Sequence, residues 1–244
     1  RKEYIDSIPE DLERFGFKFE SVSLQSKRQA LYEKYVQFLF SKQKLYPCSC
    51  SRKKLFEENP VNADGEVIYS GHCLKNPIDK NSDFALRFKT PDKTITWEDL
   101  LLGKFEENPK NQCGDFTIKD RISQWTYQFA VCVDDLEENI GLVVRGEDLR
   151  NSTARQIALL ETLGKKTPPL YLHHPLLTEK SGEKLSKRQH SKSLRAELEQ
   201  GLSIEDLLGL VCYETHSIPK KAPLTLNEAI YSIQKTYFSC FLKK

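Results

Sequence analysis

The 244-residue chain is 39% hydrophobic, enough for one sizeable core or two smaller ones. Its 37 Lys and Arg against 35 Asp and Glu leave a formal net charge of +2, which argues against a wholly basic nucleic-acid coat, although a local patch can still hold phosphate. No stretch reaches the roughly eighteen consecutive apolar residues of a membrane span and no apolar leader opens the chain, so a cytoplasmic protein with no membrane partner is expected.

From Glu3 to about Phe15 the apolar residues Ile5, Ile8, Leu12 and Phe15 fall three and four apart, which predicts a helix despite Pro9, closed by Gly16. Ser26 is expected to cap a second amphipathic helix, carrying Leu31, Tyr35, Phe38 and Leu39 and running to about Lys44. Tyr46-Pro-Cys48-Ser-Cys50 breaks the helical pattern. From there to Pro77 the chain is rich in Asn, Asp, Gly and Lys, with a turn at Asn62-Ala-Asp-Gly65. Phe84–Phe88 and Lys93–Trp97 read as short strands around the turn Thr90-Pro-Asp-Lys93.

Phe116–Ile118 and Thr126–Val133 carry the signature of a buried sheet or of a helix leading into one. Gly141–Gly146 is a short apolar run ending in Arg145 and a glycine, as a buried parallel strand ends at a ligand site. Asn151 or Ser152 caps a helix through Ile157, Leu160 and Leu163, closed by Gly164. Tyr171–Leu177 is the next strand, and the tail from Leu194 reads as helical. The alternation predicts an α/β, doubly wound nucleotide-binding fold interrupted by an inserted module. Expected divisions are 1–46 and 114–193 for the two halves of the core, 47–113 for the module and 194–244 for the tail.

Seven cysteines at unequal spacings suit reduced thiols and a metal better than a disulfide framework. Cys48 and Cys50 stand one residue apart, and Cys73 follows after a loop; three thiolates so spaced fill three corners of a tetrahedron. Tyr69 or His72 can supply the fourth. A module this polar has little core of its own and gains folding free energy from zinc, which favours a metal over three unrelated thiols.

Between Lys180 and Arg195 there are six Lys or Arg and one acid. A Ser-Gly turn followed by Lys184-Leu-Ser186-Lys187 can bring two ammonium groups and a hydroxyl onto a polyphosphate, the alternative being a solvated basic loop. Tyr127 and Arg145 close two predicted core segments, where a guanidinium can grip a carboxylate in bidentate fashion. From the residues alone, an internal ion pair of Arg145 with Asp134, Asp135 or Asp148 is the favoured reading.

Taken together and in order, Cys48-Ser-Cys50 with Tyr69-Ser-Gly-His-Cys73, Trp125-Thr-Tyr127-Gln-Phe-Ala-Val-Cys-Val-Asp-Asp135, Val144-Arg-Gly-Glu-Asp148 and Lys184-Leu-Ser-Lys-Arg188 resemble the catalytic core of the glutamyl-tRNA synthetases. The resemblance covers almost the whole chain, and is nearest to the paralogues that lack an anticodon-binding domain. It implies an incomplete class I synthetase core of Rossmann type, with an inserted zinc-containing α+β module and a helical C-terminal tail. It implies a structural Zn2+ on Cys48, Cys50, Tyr69 and Cys73, glutamate binding by Tyr127 and Arg145, and ATP binding, with Mg2+, by Lys184, Ser186 and Lys187, Lys187 acting in catalysis.

The implied reaction is activation of L-glutamate by ATP and transfer of the glutamyl group to queuosine in the anticodon of tRNA(Asp), by a monomer. The family's opening segment, with its histidine-containing nucleotide motif, should lie just before Arg1. With no methionine anywhere, the chain is expected to be a piece of a longer protein, unable to catalyse adenylation unaided. Competing expectations are a truncated enzyme charging tRNA(Glu) and a non-catalytic zinc-dependent RNA-binding remnant.

Overall fold

The computed structural model describes residues 2–76, 78, 83–176 and 194–239. They form helix α1 (Lys2–Arg14), α2 (Gln29–Ser41), strand β1 (Leu45–Cys48), α3 (Arg52–Glu58), α4 (His72–Lys75), β2 (Ala85–Phe88), β3 (Ile95–Asp99) and β4 (Gly103–Glu107). There follow α5 (Pro109–Cys113), β5 (Thr117–Lys119), α6 (Tyr127–Glu137), β6 (Leu142–Gly146), α7 (Thr153–Thr162), β7 (Leu170–His174), α8 (Leu194–Glu199), α9 (Ile204–Glu214) and α10 (Leu226–Tyr237). Two compact units result, Ser23–His173 and Arg1–Val22 with His174–Lys244. No described helix is long and apolar enough to cross a membrane.

The unit Ser23–His173 holds two sheets. In the first, order β1-β2-β5, β2 runs antiparallel to both neighbours, with a register shift between Leu86 and Arg87. The second, order β4-β3-β7-β6, is mixed: β3 is antiparallel to β4 and parallel to β7. Tyr32 and Leu39 of α2, Phe129 and Val133 of α6, and Leu159 and Leu160 of α7 close over Phe88 and Ile118 of the first sheet. Ala154, Ile157 and Ala158, from the other side of α7, pack with Ile95, Trp97 and Tyr171 of the second sheet. Because α7 serves both cores, Thr153–Leu160 is buried without a break, polar Arg155 and Gln156 included, and the usual solvent-facing stripe is missing.

Two local expectations change and an open one is settled. Ser26 lies inside a 3-10 turn, Gln25–Lys27, and Arg28 takes the cap position of α2 without a side-chain cap. Its guanidinium is held by Asp134 at 2.8 Å and Glu138 at 2.6 Å, so the residue at the helix start makes tertiary ion pairs instead of a cap. Tyr127–Glu137 is a helix, one of the two readings that its pattern allowed, and Thr126 at its start stays tied to β5, its hydroxyl to the carbonyl of Thr117 and its N–H to that of Ile118. Strand β6 is not buried: it closes one end of the sheet order, and Val144 is 53% exposed. A strand with a neighbour on one side has half the cover of a central one.

In the second unit, Arg195 of α8 donates to Asp11 at 2.7 Å and to Glu10 of α1. Capping boxes open α9 (Ser203 with Asp206) and α10 (Thr225 with Glu228), each satisfying orphan backbone N–H groups at the helix start. Gly209 lies so close to the backbone of the loop between these helices that a Cβ would stand 1.8 Å from the Ala222 carbonyl oxygen.

Candidate active site and metal centre

Strand β1 delivers Cys48 at its last residue, and Cys50 follows in the turn that Ser51 ends by capping α3 through the Lys54 N–H. Gly71, at φ +81, turns the chain into α4 and sets Cys73 beside them. The three sulfur atoms lie within 4.8 Å of one another. Cys50 and Cys73 are 3.4 Å apart, and the buried Tyr69 hydroxyl sits 3.4 Å from Cys48 Sγ and 3.7 Å from Cys50 Sγ. A tetrahedral zinc with Zn–S bonds of about 2.3 Å has S···S edges of about 3.8 Å, so these four atoms already stand at nearly the spacing that such an ion requires.

The donor set, three thiols and a phenol in a buried corner, fits zinc chemically as well. His72 turns away, its Nε2 lying 3.2 Å from the ammonium of Lys54. Burial works against a charged Cys73, but hydrogen bonds with Tyr69, the Ser49 backbone and Cys50 outweigh it and bring that thiol down to about 7. Burial, reinforced by hydrogen bonding to Cys48, pushes the Tyr69 hydroxyl up.

Tyr69 is fixed from behind. Its N–H donates to the Cys113 carbonyl, and the Arg87 guanidinium lies 3.8 Å above its ring. Arg87 in turn donates to the Asp115 carbonyl at 2.6 Å. The Asp115 carboxylate is wholly buried and accepts from the Tyr46 hydroxyl at 2.7 Å, the Thr90 N–H at 2.9 Å and Lys110 at 2.5 Å. One carboxylate thereby ties the residues following β2 to β1 and to α5, and a buried charge so fully partnered is costly to leave half paired.

The second centre lies around Arg145 on β6. Its Nε donates to His173 Nε2 at 3.0 Å, Nη1 to Gln156 Oε1 at 2.7 Å and Nη2 to Thr153 Oγ1 at 2.9 Å. These partners are uncharged acceptors, whereas Asp134, a partner expected from the sequence, is engaged by Arg28 and the Tyr32 hydroxyl. Asp135 acts on Arg145 through space; burial raises its carboxyl to about 6, with Arg145 opposing.

Tyr127 begins α6 and is 47% exposed. The next residue, Gln128, accepts from Gln156 at 2.8 Å and donates to Ser152 at 2.8 Å, so one amide pair connects the start of α6 to the group that holds Arg145. Burial raises the pKa of the Tyr171 hydroxyl, and Arg145 and Tyr127 both act on it through space; its ring lies 5.5 Å from the Arg145 guanidinium carbon.

Asp99, His173, Gln156 and Asp115 were not legible as site residues in the sequence. A signal for Asp99 existed. Strand β3 alternates Ile95 in, Thr96 out, Trp97 in, Glu98 out, which puts a carboxylate at the next core position. Lys184, Ser186 and Lys187 lie outside the described residues.

The family described as "tRNA synthetases class I (E and Q), catalytic domain" matches residues 1–218. A glutamyl-Q tRNA(Asp) synthetase of Neisseria meningitidis serogroup C is 39% identical over 187 residues, covering 75% of this chain and 63% of that protein. One of Geobacter sulfurreducens is 37% identical over 194 residues, 78% of this chain and 62% of its own length. The chain therefore spans less than two thirds of these relatives. Among solved structures, a glutamate-tRNA synthetase from Elizabethkingia anophelis superposes with a TM-score of 0.73 at 23% identity, over 92% of this chain and 54% of that one. That likeness establishes the shared class I synthetase-like α/β fold.

Proposed function

The chain belongs to the class I tRNA synthetases for glutamate and glutamine, and from that membership we propose that it forms most of an enzyme which activates L-glutamate with ATP and transfers the glutamyl group to queuosine in tRNA(Asp). The observation that carries the reading is Arg145. Among the described residues its hydrogen-bond partners are three neutral acceptors, which orient the cation without an ion-pair contact, as a site for an incoming carboxylate requires. Tyr127, half exposed at the start of α6, adds a hydroxyl for orientation.

In the first step an oxygen of the substrate carboxylate attacks the α phosphorus of ATP. The bond from that phosphorus to the bridging oxygen breaks, and pyrophosphate leaves. No side chain acts as a covalent nucleophile, so positioning and charge stabilisation supply most of the rate. Lys187, with Lys184 and Ser186, is assigned to the β and γ phosphates, where Mg2+ accompanies ATP. The queuosine base then takes the glutamyl group from the adenylate, releasing AMP. Zinc held by Cys48, Cys50, Tyr69 and Cys73 supplies folding free energy to a module with little core of its own.

The test uses the purified protein, together with any residues that precede Arg1 in its reading frame. Glutamate-dependent exchange of pyrophosphate into ATP, followed by glutamate label recovered on the queuosine of tRNA(Asp), is the expected result. Label on the 3′ end of tRNA(Glu) would replace this reading with a tRNA-charging enzyme. Zinc-dependent RNA binding with no exchange would replace it with a non-catalytic module.

A further inference from the structure

We infer that Asp99 and His173 are positioning residues for glutamate, fixing the Arg145 guanidinium through a buried chain of hydrogen bonds. The inference rests on the reading of Arg145 as the carboxylate-binding cation. Asp99 closes β3, and His173 lies on the parallel neighbour β7 with a side chain fully inaccessible to solvent. The Asp99 carboxylate receives four donors: the N–H groups of Leu101 and Leu102 on Oδ1, both at 2.9 Å, and the N–H of His173 at 3.0 Å and its Nδ1 at 2.6 Å on Oδ2.

The tautomer follows from the two ends of the chain. A carboxylate that already takes three backbone N–H groups is an acceptor, so the proton between it and the ring belongs to His173 Nδ1. Arg145 is always protonated and only donates, so Nε2 of the same ring must offer its lone pair. Only neutral, Nδ1-protonated imidazole meets both demands. Burial also holds the His173 pKa down, with Arg145 and Arg150 adding to it and Asp99 opposing.

The consequence lies in the donors left over. Of the five N–H groups of an arginine, the bonds to His173, Gln156 and Thr153 use three, which leaves one on each terminal nitrogen without a partner shown among the described residues. Because Arg145 comes from a half-exposed strand at the end of the sheet order, its aim is set less by packing than by these partners. The Nε contact fixes the plane of the guanidinium, and Asp99 fixes the ring that makes that contact. Metal-bound histidines are oriented by carboxylates in the same manner.

A double-mutant cycle tests this by pyrophosphate exchange, with Asp99→Asn and Arg145→Lys made singly and together. Each single change is expected to raise KM for glutamate about tenfold or more and to leave KM for ATP within about twofold. The double variant should be no worse than Arg145→Lys alone, since Asp99 acts only through that side chain. Additive losses, or an equal rise in both KM values, would overturn the inference, for a merely structural Asp99 damages every background and both substrates.

Should Asp99→Asn fail to fold, nitrogen-15 NMR of the histidines in the unmutated protein decides independently: the Nδ1-protonated form of His173 is expected, and the Nε2-protonated form would overturn the pairing. An unmutated protein with no glutamate-dependent exchange would instead overturn the functional reading, and the histidine spectrum would still report on the pairing by itself.

Discussion

Gly114 passes so close to Tyr69 that a Cβ at that position would stand 2.0 Å from the Tyr69 carbonyl oxygen. The Tyr69 hydroxyl is in turn 3.4 Å from Cys48 and 2.9 Å from the Cys73 N–H. A glycine outside the cluster of thiols therefore sets the depth at which the Tyr69 hydroxyl sits beside them. Gly114→Ala must displace Tyr69 or shift β5, and at φ +65 it adds backbone strain. The expected outcome is a loss of about 3 kcal/mol or more in denaturant unfolding, together with weakened zinc retention.

Removing one thiol acts more directly. Cys48→Ser should weaken zinc binding by more than about a hundredfold, since even outer-shell partners of a metal ligand contribute ten- to a hundredfold. Metal analysis after dialysis against a chelator measures it, and thermal unfolding should move down with it because binding free energy is also folding free energy. Full zinc occupancy in the variant would show that the ligand set is wrong.

For Lys187→Ala, the expected effect is a fall of about a hundredfold in the adenylation rate with KM for glutamate little changed, as for loss of one donor to a developing anion. Pyrophosphate exchange measured against both substrates resolves the two parameters. An unchanged rate would remove Lys187 from the chemistry.

Asp135 gives a pH signature. Its folded pKa, about 6, stands above the usual carboxylate value of 3.8, so the unfolded chain ionises first as pH rises. Its contribution to stability is thus fully present below pH 3.8 and is lost as pH climbs through 6. Asp135→Asn should therefore raise the unfolding temperature at pH 7 and make little difference near pH 3.8. Partial solvent access screens the effect and keeps the gain modest. Melting curves at the two pH values are sufficient, and equal shifts at both would exclude ionisation as the cause.

His173 has the opposite sign. A folded pKa below the ordinary 6.5 means that the unfolded chain takes up protons first as pH falls. Stability from the neutral ring is complete above 6.5 and declines as pH drops toward the depressed folded value. A His173→Gln variant should show a flatter stability profile just below 6.5, measured by urea unfolding at stepped pH.

The cluster of three thiols was legible in the sequence because its members are close in the chain. Cys48, Cys50, Tyr69 and Cys73 lie within one module, and residue type with spacing limits what they can bind. Arg145 and Tyr127 were legible as candidates because each terminates a patterned segment. The partners of Arg145 were not, and the expected carboxylate pairing went the wrong way for Asp134. Nothing in the sequence says that Arg28, more than a hundred residues away, takes Asp134 at 2.8 Å.

The sequence by itself determined the longer helices, the thiol cluster and the family likeness, all of which depend on residue type and local spacing; the short elements β1, α3, α4, β4 and α5 it did not mark. It also carried, unread, the alternation that buries Asp99. Tertiary structure alone decided which long-range groups meet: that β3 runs parallel to β7, placing Asp99 against His173, and that α7 stands between two cores, so that Thr153 and Gln156 meet Arg145 and, for Gln156, the start of α6. Hydrophobic pattern specifies which face of an element is buried, but not which neighbour covers it. A buried polar group must then take its partner from whatever that neighbour presents.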